Sequence, residues 1–162
     1  MNSILPLKAA DWTLESAFGI ALQATLEDYA FEEPLPLQTT EELATEQISV
    51  TIQIIEPPMG GLILSVEPST ARRLFLSISG IAGDQPIGED SVRDAIGELA
   101  NVFAGNLVRE VIGTDLPFRL SLPQPGIIVA GSRQEMARFS IGLSMGEIDA
   151  FVFGALRLNC VK

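Results

Sequence analysis

The segment from about Asp90 to Ile112 is the part of this sequence that most constrains the fold. At about 100° per residue, five apolar side chains of the segment fall within roughly an 80° arc of a helix. These are Val92, Ile96, Leu99, Phe103 and Leu107. Gly113 and Pro117 end the pattern. The segment therefore predicts a long amphipathic helix with one buried face.

The opposite face of this helix is polar. Asp94, Glu98 and Asn101 fall within about a 60° arc, and Gly105 leaves the approach to that face open one turn further on. Glycines at 97 and 105 each cost about 1 kcal/mol relative to alanine in a helix interior, so we expect compensation from the close approach of another backbone. A polar stripe is most often a solvated surface, although Asn is a poor choice for one. The residues alone leave a solvated face and a contact surface both open.

Two further helices are predicted on either side of a strand pair. One runs from Asp11 to Tyr29 at near-helical apolar spacing, and Pro34 and Pro36 prevent its continuation. The other begins near Pro68 and ends before Gly80, the usual asymmetry of proline and glycine at helix ends.

Strand periodicity accounts for most of the remaining chain. Apolar and polar residues alternate most clearly in the first and fifth of the predicted strands. The predicted strands are residues 48–54, 62–66, 118–122, 126–130, 139–145 and 150–158. A Pro- and Gly-rich turn joins the first two into a hairpin. The order of elements predicts an α+β fold with an antiparallel sheet packed by helices.

A weak internal repeat relates the two halves of the chain. Asp11 matches Asp94, Glu15 matches Glu98, Ala17 matches Ala100, and Ala21 matches Ala104. Phe18 occupies the position that Asn101 fills in the second copy. Any function that needs the Asn is therefore confined to the second half, and Phe18 is predicted to lie in the core.

Length and composition predict a single domain over residues 1–162, with residues 30–47 as a connector. Apolar residues make up 47% of the chain. The sequence nevertheless contains no run of about 18 such residues, which is the length that would predict a membrane-spanning helix. The N-terminus lacks the pattern of a secretory signal, so we expect a cytoplasmic protein without membrane insertion. The apolar surplus suggests buried surface beyond one core, which a homodimer would supply.

Charge and residue counts exclude several classes of function. A net charge of −11 argues against nucleic acid as a partner, because phosphates are bound by clustered Lys and Arg. The chain has no His and only one Cys, which excludes disulfides, Cys-based metal sites and His-dependent nucleophilic catalysis. A stand-alone small-molecule enzyme is disfavoured, since no nucleophile–base set or metal cluster is present.

The segment Asp94–Leu107 resembles the signature helix of the CheC/CheX/FliY family of chemotaxis phosphatases. That signature is an Asp or Ser, a Glu four residues on, an Asn three further, and a following Gly. Residues 61–66, 68–80 and 122–129 are also similar to CheX. The single Glu-x-x-Asn motif resembles CheX, whereas CheC typically carries two.

The resemblance implies a phosphatase that hydrolyses the aspartyl phosphate of a CheY-type response regulator, in chemotaxis or other two-component signalling. The phosphorylated regulator would supply Mg²⁺ and a lysine, so no metal or cofactor of the chain's own is expected. Asn101 would orient the attacking water and Glu98 would pair with the lysine. Asp94 and Gly105 would be partner contacts at the rim. The resemblance also implies a homodimer formed through the sheet. The alternative is a non-catalytic module that binds a response regulator or a flagellar switch component.

Overall fold

The computed structural model describes six stretches of the chain. These are residues 14–30, 47–80, 86–113, 115–126, 137–143 and 146–154. Together they form three α-helices and a six-stranded sheet.

The helices are α1, Leu14–Thr25, α2, Pro68–Ser79, and α3, Glu89–Ile112. A π-helical turn, Leu26–Ala30, continues α1. The first predicted helix is therefore confirmed from Leu14 onward, and its residues 11–13 lie outside the described stretches. Among the helices of these stretches, none has the length and apolar content needed to cross a bilayer.

The ends of α2 and α3 follow from local sequence. Gly80 ends α2 in the left-handed region, at φ 70°, where a side chain would be strained. In α3, Glu89 and Asp90 lie in the first turn and Arg109 in the last, charges that complement the helix dipole. The N–H of Gly113 donates to the carbonyl of Arg109 at 2.8 Å and ends the helix. Both predicted helices are confirmed.

The sheet is antiparallel at every described pairing. Its strands are β1, Ile48–Glu56, β2, Gly60–Val66, β3, Arg119–Leu120, β4, Gln124–Pro125, β5, Ala137–Leu143, and β6, Gly146–Phe153. Their order is β3-β1-β2-β6-β5, and β4 pairs with β1 beside β3. The predicted α+β class and hairpin are confirmed.

Alternate residues of the long strands and the inner faces of the helices form one hydrophobic core. Its members include Val50, Ile52, Leu62, Leu64, Ile148 and Val152 from the sheet and Val92, Ile96, Leu99, Phe103 and Leu107 from α3. The predicted apolar stripe of α3 is thus buried as a whole. A single domain over residues 1–162 stays a prediction, because residues 31–46 of the connector are among those not described.

The predicted strand 118–122 is wrong in extent, and of the predicted strand 126–130 only Gly126 is described, where it is not in a strand. Within the described residues 115–126, Arg119–Leu120 and Gln124–Pro125 are the two strands that pair with β1. The pairing is interrupted between Leu120 and Gln124, where Pro123 has no N–H to donate to a ladder. Residues 127–130 lie outside the described part of the chain.

The last two strands begin earlier than predicted, at Ala137 and Gly146 instead of residues 139 and 150. The two strands pair in antiparallel register from Ala137 and Val152 to Leu143 and Gly146. The predicted ends at residues 145 and 158 are not in the described stretches.

Candidate functional site

The exposed side of α3 carries the residues singled out from the sequence. Asp94, Glu98 and Asn101 are exposed, whereas Ile96 and Leu99 between them are buried. Residues three, four and seven positions apart share one side of a helix. The structure thus brings the three polar side chains together on one accessible face.

Two glycines of α3 lie beneath the segment 118–123. A Cβ added to Gly97 would be 3.1 Å from the Cβ of Pro123. One added to Gly105 would be 3.8 Å from the Cζ of Phe118. The sequence predicted that another backbone would pack against these glycines and offset their cost in helix stability. The groups that pack there are instead two side chains, the ring of Pro123 and the ring of Phe118.

The open approach predicted at Gly105 is not found. Gly105 is buried, because Phe118 packs against it. The guanidinium of Arg109 lies over the same ring, 5.2 Å from its centroid. Gly105 is therefore not part of the accessible surface, and its place in the fold is to let this aromatic ring approach the helix.

Asn101 lies between the two contacts that this segment makes with α3. It is four residues from Gly97 and four from Gly105, so the three positions lie nearly in line along the helix. The segment covers both glycines and leaves Asn101 exposed. Along the helix, Asn101 thus lies between the position covered by Pro123 and the position covered by Phe118.

A groove of about 640 Å³ lies between α3 and the edge of the sheet. Asp94 and Glu98 line one wall, and Leu122 and Pro123 line the other. The remaining lining residues are Asp90, Arg93 and Gly97 of α3, Ile48, Ser49 and Val50 of β1, and Pro125. The groove therefore combines a charged helical wall with an apolar wall.

The apolar wall is anchored to β1 on both sides. The N–H of Ser121 donates to the carbonyl of Gln53 at 2.8 Å, and the N–H of Gln53 donates to the hydroxyl of Ser121 at 2.9 Å. Further along, the N–H of Gly126 donates to the carbonyl of Ser49 at 2.8 Å, and the Thr51 hydroxyl donates to the carbonyl of Gly126 at 2.7 Å. The residues between these anchors are held in place by the backbone.

No cluster of three or more His, Cys, Asp or Glu suited to a metal ion occurs within the described stretches. In that part of the chain the site consists of carboxylates and one carboxamide on a helix. Such a set can orient water and pair with a cation.

The family model for the chemotaxis phosphatase CheX matches residues 48–140 of the chain. The match covers more than half of the 162 residues and includes α2 and α3 in full. The chain belongs to the CheX family. No curated protein sequence matches it significantly.

Solved structures of CheX-like proteins share the fold. CheX from Vibrio vulnificus has a TM-score of 0.64 and 16% identity over 90% of this chain and 99% of that one. CheX from Borrelia burgdorferi, in a complex with CheY, BeF₃ and Mg²⁺, has a TM-score of 0.63 and 17% identity over 86% and 96%. FliY from Thermotoga maritima has a TM-score of 0.60 and 15% identity over 89% and 87%.

The first-half counterpart of the signature in this CheX-family chain is a core position. Phe18 is completely buried, and its ring stacks on that of Phe139 with centroids 4.2 Å apart. The ring of Phe103 lies 4.9 Å away at a tilt of 54°. Glu15, by contrast, is exposed. The prediction that Phe18 lies in the core is confirmed.

The segment that frames the site of this CheX-family protein was missed by the sequence analysis. Phe118 and Leu122 were predicted only as the ends of a strand, and the resemblance added only that residues 122–129 are similar to CheX. The signal was the pair of glycines at positions 97 and 105, whose spacing indicates that something lies along the helix. That spacing does not identify the segment, because the contact joins parts of the chain that no local pattern relates.

Proposed function

We propose that this CheX-family protein accelerates hydrolysis of the aspartyl phosphate on a CheY-type response regulator, in chemotaxis or related two-component signalling. Family membership supports the reaction class. The similar CheX of Borrelia burgdorferi, which binds CheY, supports the partner. The observation that carries the proposal is the exposed Asn101 of α3, with Glu98 one turn away and Pro123 and Phe118 on either side.

Asn101 is proposed to position the attacking water. Its carboxamide both donates and accepts hydrogen bonds, and it does not titrate. The water oxygen attacks phosphorus in line, the bond from phosphorus to the aspartyl oxygen breaks, and the carboxylate leaves. A loose phosphoryl-transfer transition state depends on alignment more than on a strong base.

Glu98 is proposed to pair with the regulator's lysine and hold the two proteins in register. Asp94, one turn earlier on the same face, would contact the regulator at the rim. The regulator would supply Mg²⁺ and its own acidic pocket, so the proposed reaction requires no cofactor bound to this chain. Glu98 and Asn101 both lie on α3, whose opposite side is buried in the core. The helix therefore holds them rigidly, as alignment within a fraction of an ångström requires.

The activity is tested by phosphorylating a CheY-type regulator with a small phosphodonor and following its loss of phosphate. Asn101→Ala should lower kcat on the order of 100-fold, because the water is no longer held in line. The affinity for the regulator should change little. Absence of acceleration by the wild-type protein across several regulators would overturn the proposed function. Acceleration that survives Asn101→Ala would overturn the role of this residue.

Glu98→Ala tests docking in the same assay. We expect KM for the phosphorylated regulator to rise about tenfold, because the lysine loses its partner. Glu15→Ala is the matched control, since Glu15 is the exposed counterpart in the first half and stands beside the buried Phe18. A normal KM for Glu98→Ala, or an equal rise for Glu15→Ala, would contradict the assignment.

The alternative function is a non-catalytic module, and the same experiment separates it, since such a module would bind a regulator without hastening phosphate loss. We further propose that the protein acts as a single domain over residues 1–162, as a cytoplasmic homodimer. Analytical sedimentation that finds only a monomer at micromolar concentration would contradict the dimer.

A further inference from the structure

Leu122 is the most exposed large apolar side chain of the described residues, at 83%. A single exposed leucine means little on its own, because such residues are common on protein surfaces. Its position is informative, since it lines the same groove as Asp94 and Glu98. The most exposed large apolar side chain of the described residues thus lines the same groove as the proposed docking carboxylate.

The backbone that carries Leu122 is ordered before any partner arrives. Ser121 exchanges two hydrogen bonds with Gln53, and Pro123 packs on Gly97. The Ser121 hydroxyl also lies 3.1 Å from the carbonyl of Leu122, to which it can donate. A side chain presented in this way binds a partner with a small loss of backbone entropy.

The charges of the groove restrict what can occupy it. Three carboxylates, those of Asp90, Asp94 and Glu98, line it with a single cation, Arg93. An occupant must therefore present a basic group beside an apolar surface.

We infer that Leu122 is a docking contact for the response regulator, packing against an apolar patch that adjoins the lysine paired with Glu98. This inference rests on the proposed function. Asn101 does not line the groove, so Leu122 acts on binding and leaves the aligned water undisturbed. The groove side of α3 is then the surface that selects the regulator.

The experiment measures kcat and KM for the phosphorylated regulator with three variants of Leu122. Leu122→Asp should raise KM about tenfold and Leu122→Ala about threefold, with kcat within about twofold of wild type. Leu122→Met should keep KM near wild type, since it preserves the apolar contact. Leu116→Ala is the matched control, because Leu116 is an exposed leucine that does not line the groove, and its KM should not change.

A second readout separates this inference from the proposed reaction. Titration of the same proteins with a regulator loaded with Mg²⁺ and BeF₃ measures affinity without turnover. Weaker binding by Leu122→Asp, together with no phosphatase activity of the wild type, would retain the docking contact and overturn the reaction. Unchanged KM and affinity in an active Leu122→Asp protein would overturn the docking contact. The docking contact would also be overturned if Leu122→Asp lowered kcat at constant KM, or if it lost self-association while its affinity for the regulator stayed unchanged. Failure of every regulator to bind the wild-type protein would overturn it as well.

Discussion

Phe18 and Asn101 occupy the same position in the two copies of the weak repeat, yet one side chain is buried and the other is exposed. The difference lies in what covers each helix. Phe18 fills a space between Phe103 and Phe139, whereas Asn101 points away from the core between two covered glycines. In the first copy, the position that corresponds to Asn101 therefore contributes to core packing.

Restoring the signature in the first half should damage the protein without creating a second site. Phe18→Asn removes a fully buried ring and places an amide in the core, so we expect a loss of about 3–5 kcal/mol in the free energy of unfolding. Urea denaturation measures it, and the phosphatase rate of the remaining folded protein should not increase. A variant as stable as wild type, or one with doubled activity, would contradict the core assignment.

At the scale of elements, the sequence predicted α3 and α2 well because their signals are local. Apolar residues recur at helical spacing, and glycine follows each C-terminus. It predicted β3 too long and did not predict β4 at Gln124–Pro125, since each pairs over two residues only and Pro123 interrupts the pairing between them. It could not predict that the segment 118–123 lies along α3, because this contact depends on the assembled sheet. The exposed polar face of α3 was therefore predictable from the sequence, whereas the segment 118–123 that packs beside it was not.

The two glycines of α3 should respond differently to alanine. Added at Gly105, a Cβ meets Phe118 at an ordinary 3.8 Å, so Gly105→Ala should stabilise the protein by up to about 1 kcal/mol through helix propensity. Added at Gly97, it lies 3.1 Å from Pro123, which must move by a few tenths of an ångström. We expect Gly97→Ala to be at least about 0.5 kcal/mol less stable than Gly105→Ala, because displacement of Pro123 offsets the gain.

Urea denaturation of both variants provides the comparison, and regulator KM provides a second one. Displacement of Pro123 also moves the neighbouring Leu122, so KM should rise in Gly97→Ala and not in Gly105→Ala. Equal stabilisation by the two substitutions would show that Pro123 does not constrain the helix.

At the scale of the whole molecule, the net charge of −11 acts against an acidic partner at long range. The proposed lysine contact of Glu98 acts only at short range. For a regulator of net negative charge, kcat/KM should therefore increase as ionic strength rises from about 0.01 to about 0.15 M, because the Debye length falls from about 30 Å to about 8 Å.

Rates measured at several NaCl concentrations test this expectation, with choline chloride as the control for specific ion effects. The repulsion is screened first, while the pair formed in contact is screened much less. A steep fall of kcat/KM with salt would contradict it and indicate that local attraction dominates the encounter.

The edge of the sheet beside the groove also determines how another molecule can bind there. Beyond β1, the described part of the edge consists of β3 and β4, two-residue strands separated by residues 121–123. Among the described residues, Pro123 and Pro125 carry no N–H, so this part of the edge presents no continuous row of donors to an incoming strand. Main-chain pairing with a foreign strand is therefore disfavoured along residues 119–125. Under the proposed function, recognition at these residues rests on side chains, which distinguish one regulator from another where a shared backbone would not.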